Sequence, residues 1–456
     1  MRSGCPAGSM LVSRRGTAGI ARARERMIAG GGPTAKLPWQ ARLPFFYGWI
    51  VVYICFVSVF MMGATTFWGI PVFVVPMSEE TGWSHGSIFL GLAARMIVGA
   101  GAGLLVGHIA DRRWGAARLL LIGVALDGLA LFSLRWVESP LQFIVVYGVI
   151  GGIGNTGMRL VQATLIAKWF VGRRGTAVGF AANGGGVSAL IMVPITAFLI
   201  DQLGWRDAWG ALGAIMAISL IPLVPLAVRA PEDVGLLPDN GVVPTRSGAT
   251  SAADERSYRL GEVLYTWQFW LLMLAALFGM YSLQTHTVVM VPYFKEIGFS
   301  SGQAAAGLSV YGAFSIALRF IWGWLADRFT VRKAIMVQAV LTAIGALILM
   351  QVGGSASLYL AMAYQGMMLS GYPPLQILLW PEFFGRLHIG SIVGLTQFFV
   401  TIAGAIGPVI AGVVYDETGS YTSALWLLVA TWLACAALML VVRPARHASR
   451  KAPAPA

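Results

Sequence analysis

The chain has 456 residues, 57% of them hydrophobic and 11% charged, and its 32 Lys and Arg against 19 Asp and Glu give a formal net charge of +13. With a mean hydropathy of +0.74 there is too little polar surface to cover a soluble globule, so the composition excludes one and places the chain in a bilayer.

Residues 1–43 are Arg-rich, nearly free of acids and lack an apolar core, which excludes a cleavable secretory signal. They read as a disordered cytoplasmic tail, or as the result of a start assigned too early with Met10 or Met27 as the true one; an organellar transit peptide is the other reading. Beyond the tail, apolar segments of about twenty residues or more are long enough to cross roughly 30 Å of hydrocarbon as helices. Twelve are predicted, at 46–74, 85–106, 116–135, 140–166, 175–200, 207–228, 266–292, 302–325, 333–352, 357–380, 389–413 and 421–442. Residues 229–264, rich in Pro, Gly, Asp and Ser, form the only long polar interior stretch and divide the chain into two six-helix bundles, 44–228 and 265–443. A polar tail, 444–456, follows. Cys5, Cys55 and Cys435 share no spacing, so neither a disulfide framework nor a metal site is supported.

Residues 82–113 repeat at 298–329 without a gap. Gly82, Ser84, Gly86, Gly91, Leu92, Gly107, Ala110, Asp111 and Arg112 reappear as Gly298, Ser300, Gly302, Gly307, Leu308, Gly323, Ala326, Asp327 and Arg328. At a separate offset, Gly175 and Gly179 recur as Gly390 and Gly394. An internal repeat inside a hydrophobic chain is a mark of transporters, in which two related bundles rock about a site between them. Gly107 and Gly323 allow close helix approach, and Asp111 and Asp327 stand where a carboxylate caps a neighbouring helix start and pairs with basic loop residues. With both ends cytoplasmic, 26 of the 32 Lys and Arg fall on the cytoplasmic side, including Arg112, Arg118, Lys168, Arg328, Arg332 and Lys333. The positive charge then reflects topology and contact with anionic lipid, and nucleic-acid binding is not indicated.

Twelve helices, the long middle loop and the turns Gly107-His-Ile-Ala-Asp-Arg-Arg-Trp-Gly115 and Gly323-Trp-Leu-Ala-Asp-Arg328 resemble the major facilitator superfamily over residues 44–443. Phe46-Tyr47-Gly48-Trp49, Gly82-Trp83-Ser84, Lys168-Trp169-Phe170 with Arg173-Arg174-Gly175, and the stretch from Arg229 to Asp239 resemble bacterial monocarboxylate-porter-like and oxalate/formate-exchanger-like members. Arg319-Phe-Ile-Trp-Gly323 is similar to the porters' helix-eight Arg-x-x-x-Gly, and the resemblance implies that Arg319 binds a substrate carboxylate. Two of the porters' groups are absent: Ser315 stands for the acid one turn before that arginine, and Phe67 falls near their first-helix lysine. Val400 occupies about the place of the exchangers' second cation, with Gln397 the nearest polar side chain.

An ionised side chain inside hydrocarbon costs several kcal/mol and persists only if paired or useful, which singles out Arg95, Asp127, Arg159 and Arg319. Arg319 lies eight positions before Asp327, roughly 12 Å into its helix, a depth that suits a central cavity. A guanidinium stays charged and forks onto a carboxylate, so Arg319 is a substrate ligand or, alternatively, a structural charge bound to backbone carbonyls. Ser315 shares its face, one cation there favours a monocarboxylate, and Arg95 is the candidate second cation. Asp127 and Arg159 count to matching depths of roughly 13 Å, which predicts an ion pair, with Asp127 as proton carrier the alternative. Tyr364 and Tyr372 either shape the cavity or anchor helices at the interface, and His286 is expected near the outer end of the seventh helix. Gly152-Ile-Gly154-Asn-Thr-Gly157 matches a dinucleotide fingerprint, but its place within a membrane helix points to close packing.

The expectation is therefore an all-α integral membrane protein of twelve helices in two pseudo-symmetric bundles, a monomer in the bacterial inner membrane. It moves a small organic anion by alternating access, with protons as a candidate coupling ion and no cofactor. Multidrug efflux by proton antiport and a non-transporting sensor of the same fold are the rival readings. Pro194 lacks the preceding Gly-Pro pattern of the drug antiporters, and no nucleophile–base or metal constellation for an enzyme is present.

Overall fold

The computed structural model describes residues 39–106, 115–170, 173–241, 258, 260–384 and 389–442. The first copy of the repeated turn, with Gly107, Asp111 and Arg112, lies outside the described residues. In the first bundle α1 (Gly48–Met62), a π-helical segment (Gly63–Phe67) and α2 (Gly69–Thr81) form one crossing. It is followed by α3 (His85–Val106) and α4 (Gly115–Ser133). A short helix (Pro140–Phe143) and a second π-helical segment (Ile144–Ile150) then lead into α5 (Gly151–Trp169). The longest helix, α6 (Arg174–Leu220), contains a left-handed glycine, Gly204 (φ 77°), that splits it between the fifth and sixth predicted segments. The second bundle contains α7 (Trp267–Glu296), α8 (Ser301–Arg328), α9 (Val331–Leu349), α10 (Ser355–Leu369), α11 (Tyr372–Phe384), α12 (Ile389–Thr418) and α13 (Thr422–Val441).

Nine helical stretches among the described residues are long and apolar enough to cross a membrane. The stretch 176–226 carries two predicted segments, while α8 and the α10–α11 pair occupy the eighth and tenth. Large apolar side chains such as Leu105, Phe198, Ile218 and Leu360 point outward, as expected where the solvent is lipid.

The repeat is visible as backbone geometry. Gly82 and Gly298 both take left-handed φ values (72° and 93°), a conformation that carries little penalty only for glycine, and each ends one helix two residues before a serine that opens the next. Ser300 caps α8 in a reciprocal box with Gln303. Gly323 and Asp327 fall within α8, and Arg328 closes it.

The glycine-rich stretch of α5 serves packing. A Cβ at Gly154 would lie 2.6 Å from the Asp127 backbone nitrogen, and one at Gly157 would lie 2.3 Å from the Leu119 carbonyl oxygen. Glycine thus lets α4 and α5 touch backbone to backbone.

The aromatic motifs also have a structural role. Phe46 and Tyr47 pack on Trp169, with ring centroids 5.7 and 5.4 Å apart, and Trp49 packs on Phe170 at 5.5 Å. The Tyr47 hydroxyl donates to the Leu226 carbonyl (2.9 Å), and the Trp169 indole donates to the Val228 carbonyl (2.9 Å). Together they fasten the end of the sixth segment, where Arg229 forks onto Asp233 (3.0 and 2.9 Å) and the central loop begins.

Candidate functional site

The most elaborate polar cluster in the first bundle surrounds Arg95, which is 2% exposed on α3. Its Nη2 lies 2.8 Å from both oxygens of Asp127, a residue of α4 with no exposed surface. Nε donates to Thr66 Oγ1 (3.0 Å) and Nη1 to the Tyr147 carbonyl (3.2 Å), and the guanidinium carbon sits 4.7 Å from the Tyr147 ring centroid. The Tyr147 hydroxyl bonds to the Thr65 carbonyl (2.9 Å), and Asn155 donates to Thr66 (3.2 Å). Thr65 and Thr66 belong to one π-helical segment and Tyr147 to the other. Both interruptions of regular helix therefore supply groups around a single buried cation, and π segments concentrate at such places.

This geometry corrects two expectations. Asp127 pairs with Arg95, whereas Arg159 is exposed on α5. Counting inward from basic loop residues assumed equal starting heights for α4 and α5, but Asp127 is level with Gly151 and Gly154. Arg159 is thus displaced by roughly 7–12 Å along the helix at 1.5 Å per residue. Arg95, already neutralised, is not available as a second cation for a substrate.

Arg319 is placed differently. It is half-buried on α8, and its buried Nε has no hydrogen-bond partner. Ser315, one turn earlier, is 4% exposed, and Tyr311, another turn earlier, is 6% exposed. The three occupy an i, i+4, i+8 row on one face. The Tyr311 ring meets Trp68 of the first bundle at 5.6 Å and His286 of α7 at 6.5 Å. His286 is 1% exposed, and both of its ring nitrogens lack partners. It lies ten residues from the end of α7, roughly 15 Å in at 1.5 Å per residue, rather than at the interface as expected. Trp68 is held by a bond from its indole to the Gly185 carbonyl (2.9 Å). The row thus ends at an aromatic contact between the bundles.

Both tyrosine candidates donate to backbone carbonyls. The Tyr372 hydroxyl donates to the Ala276 carbonyl (3.0 Å) and its ring packs edge-on against Trp432. The Tyr364 hydroxyl donates to the Leu341 carbonyl (2.9 Å), joining α10 to α9. Gln397 is exposed on α12.

A second inter-bundle contact, which sequence reading missed, closes the end of the molecule opposite the repeated turns. Asp416 of α12 accepts hydrogen bonds from the backbone N–H groups of His85 (2.9 Å) and Gly86 (2.8 Å), capping α3 across the bundle boundary. His85 Nδ1 is 2.7 Å from the Tyr421 hydroxyl, and its ring stacks on Tyr415 at 4.4 Å. Which of the two donates in that bond follows the imidazole tautomer. Glu296 at the end of α7 accepts from Ser420 Oγ (2.6 Å) and from the Tyr421 N–H (2.8 Å). Only the apolar patterning around Asp416 is visible in the sequence, and it does not reveal a partner 331 positions away.

Charge-assisted bonds of this kind contribute about 1.5–3 kcal/mol when shielded and less when exposed, as Asp416 partly is. Asp416→Asn is accordingly expected to raise the population with this end open several-fold. Distance distributions between spin labels at positions 84 and 417 would show it as a growing long-distance component, and an unchanged distribution would remove Asp416 from gating.

Two bundles of related helices, joined by one polar loop and meeting along α3–α12 and α6–α8, define a two-bundle membrane transporter. The family model of the Major Facilitator Superfamily matches residues 55–296 and 272–456, and the chain belongs to that family. Among its relatives, monocarboxylate transporter 11 of Homo sapiens is 27% identical over 335 residues, covering 71% of this chain and 68% of that protein. Monocarboxylate transporter 12 of Homo sapiens is 25% identical over 416 residues, covering 84% and 77%. Among solved structures, the xylose transporter XylE from E. coli superposes with a TM-score of 0.66 at 15% identity, covering 86% of this chain and 97% of that one, a likeness of fold alone.

Proposed function

We propose that the protein is a secondary active transporter that carries a small organic anion, a monocarboxylate, between the bundles by alternating access. Arg319 is the carboxylate ligand in this reading, with Ser315 beside it. The carrying observation is the contrast between two arginines: Arg95 is neutralised by Asp127 at 2.8 Å, while Arg319 keeps a buried donor without a partner. An unneutralised guanidinium matches one negative charge, and leaving a buried donor unpaired is costly unless a ligand completes it. The names of the relatives above support the same substrate class.

The reading places both chain ends on the cytoplasmic side of the bacterial inner membrane, supported by the distribution of basic residues. The Asp416 contact is then an outer gate, closed here. Asp111 and Asp327 with their neighbouring arginines act at the inner gate. Proton coupling, if present, does not use Asp127 as a free carrier, because its carboxylate is committed to Arg95.

Uptake of a labelled panel of mono- and dicarboxylates into proteoliposomes, with and without an imposed proton gradient, tests the proposal. Saturable monocarboxylate uptake that dicarboxylates compete for poorly is the expected outcome. Transport of cationic drugs in place of carboxylates would overturn it.

A further inference from the structure

Where α8 gives way to α9, the helices part from the end of α13 and leave a cleft of about 380 Å³ that opens on the side of the molecule. Its walls include Leu325, Val337, Met439 and Leu440, and Arg332 and Lys333 also line it. Val337 and Leu440 are 41% and 64% exposed, so the walls are finished by whatever hydrocarbon lies against them.

The two cations occupy an unfavourable position. They fall in the first turn of α9, where the helix dipole is positive and acids are preferred; this turn contains no acid. Two of its own donors are served within the protein. Thr330 Oγ1 accepts from the Lys333 N–H (3.2 Å) and Glu382 Oε2 from the Val331 N–H (2.8 Å). Arg332 is fixed across the mouth by donation from Nη1 to the Val442 carbonyl, which ties α9 to the end of α13, while the Lys333 side chain is exposed. Glu382 already answers the helix end, whereas Arg332 and Lys333 stand above an apolar cleft at the end of membrane helices and suit an anion attached to hydrocarbon.

We propose that this cleft binds an anionic phospholipid, with one acyl chain along the apolar walls and the phosphate between Arg332 and Lys333. The proposal needs only that the helices span a membrane and is independent of the transport reading. The site adjoins the end of α8, since Leu325 lies within its wall.

The test is intact-complex mass spectrometry of the full chain in detergent, titrated with phosphatidylglycerol, with phosphatidylcholine of the same acyl chains, and with inorganic phosphate. A basic residue at a membrane surface is worth roughly five-fold in binding, so phosphatidylglycerol should be favoured over phosphatidylcholine by about 25-fold. Lys333→Gln, whose exposed side chain spares the fold, should reduce the preference about five-fold, and adding Arg332→Gln should abolish it. Val337→Trp should fill the cleft and weaken both lipids. Equal retention of the two lipids, a preference untouched by Lys333→Gln, or displacement of phosphatidylglycerol by millimolar inorganic phosphate would overturn the proposal.

Discussion

Asp127→Asn is expected to reduce folded, monodisperse protein to a small fraction of the wild-type yield. Removing one member of a buried ion pair leaves the other uncompensated at a cost of roughly 3–5 kcal/mol, against a net stability of about 5–15 kcal/mol for a typical domain. Arg95 cannot move to water, because Thr66, Tyr147 and Asp127 enclose it and it is 2% exposed. Arg95→Gln should fail similarly, while Arg95→Met with Asp127→Leu should recover part of the loss and leave the Tyr147 carbonyl without the Arg95 donor. Arg159→Gln should express and melt like the wild type. Yield by size-exclusion chromatography and thermal unfolding in detergent decide the matter. If Arg159→Gln were the damaging variant and Asp127→Asn harmless, the pairing described here would be wrong.

Arg319→Gln is expected to leave a well-folded protein that no longer binds substrate. Its guanidinium is half-buried and its Nε lacks a protein partner, so removing the charge sacrifices no internal ion pair at that atom. Hydrogen bonds to charged groups are worth about 1.5–3 kcal/mol each, and losing a two-pronged contact should weaken carboxylate affinity by at least 100-fold. Arg319→Lys keeps the charge but loses the planar fork and should fall between wild type and Arg319→Gln. Calorimetry with the carboxylate that the uptake panel identifies separates the three. Unaltered affinity in Arg319→Gln would move the site away from α8, with His286 and its two unpartnered nitrogens the next position to probe.

Much of this architecture is legible in the residues because a bilayer is an unforgiving solvent. Each crossing must close its backbone hydrogen bonds internally, so apolar length alone located the start of α3 at His85. The same rule could not foresee that Gly204 would turn within a continuous helical stretch, or that two π-helical segments would break the ladders beside Arg95. Pairing was harder to read than placement. Counting depth treats every helix as beginning at one plane, and the backbone contact through Gly154 and Gly157 shifts α5 against α4 by more than one turn. The Asp416 cap was invisible for a related reason: its partners are main-chain groups, which every residue carries, so no residue type in α3 advertises the contact.

Duplication would make the halves interchangeable if both used their helix starts alike, and they do not. Ser300 accepts from the Gln303 N–H at the start of α8, and Ser84 accepts from the Ser87 N–H at the start of α3 in the same way. In the first half, the corresponding turn leaves the N–H groups of His85 and Gly86 to a carboxylate from the other half. The twofold pseudo-symmetry is therefore broken at this acid too, and a molecule assembled from two copies of either half would keep its crossings but lose the bond that Asp416 makes between them.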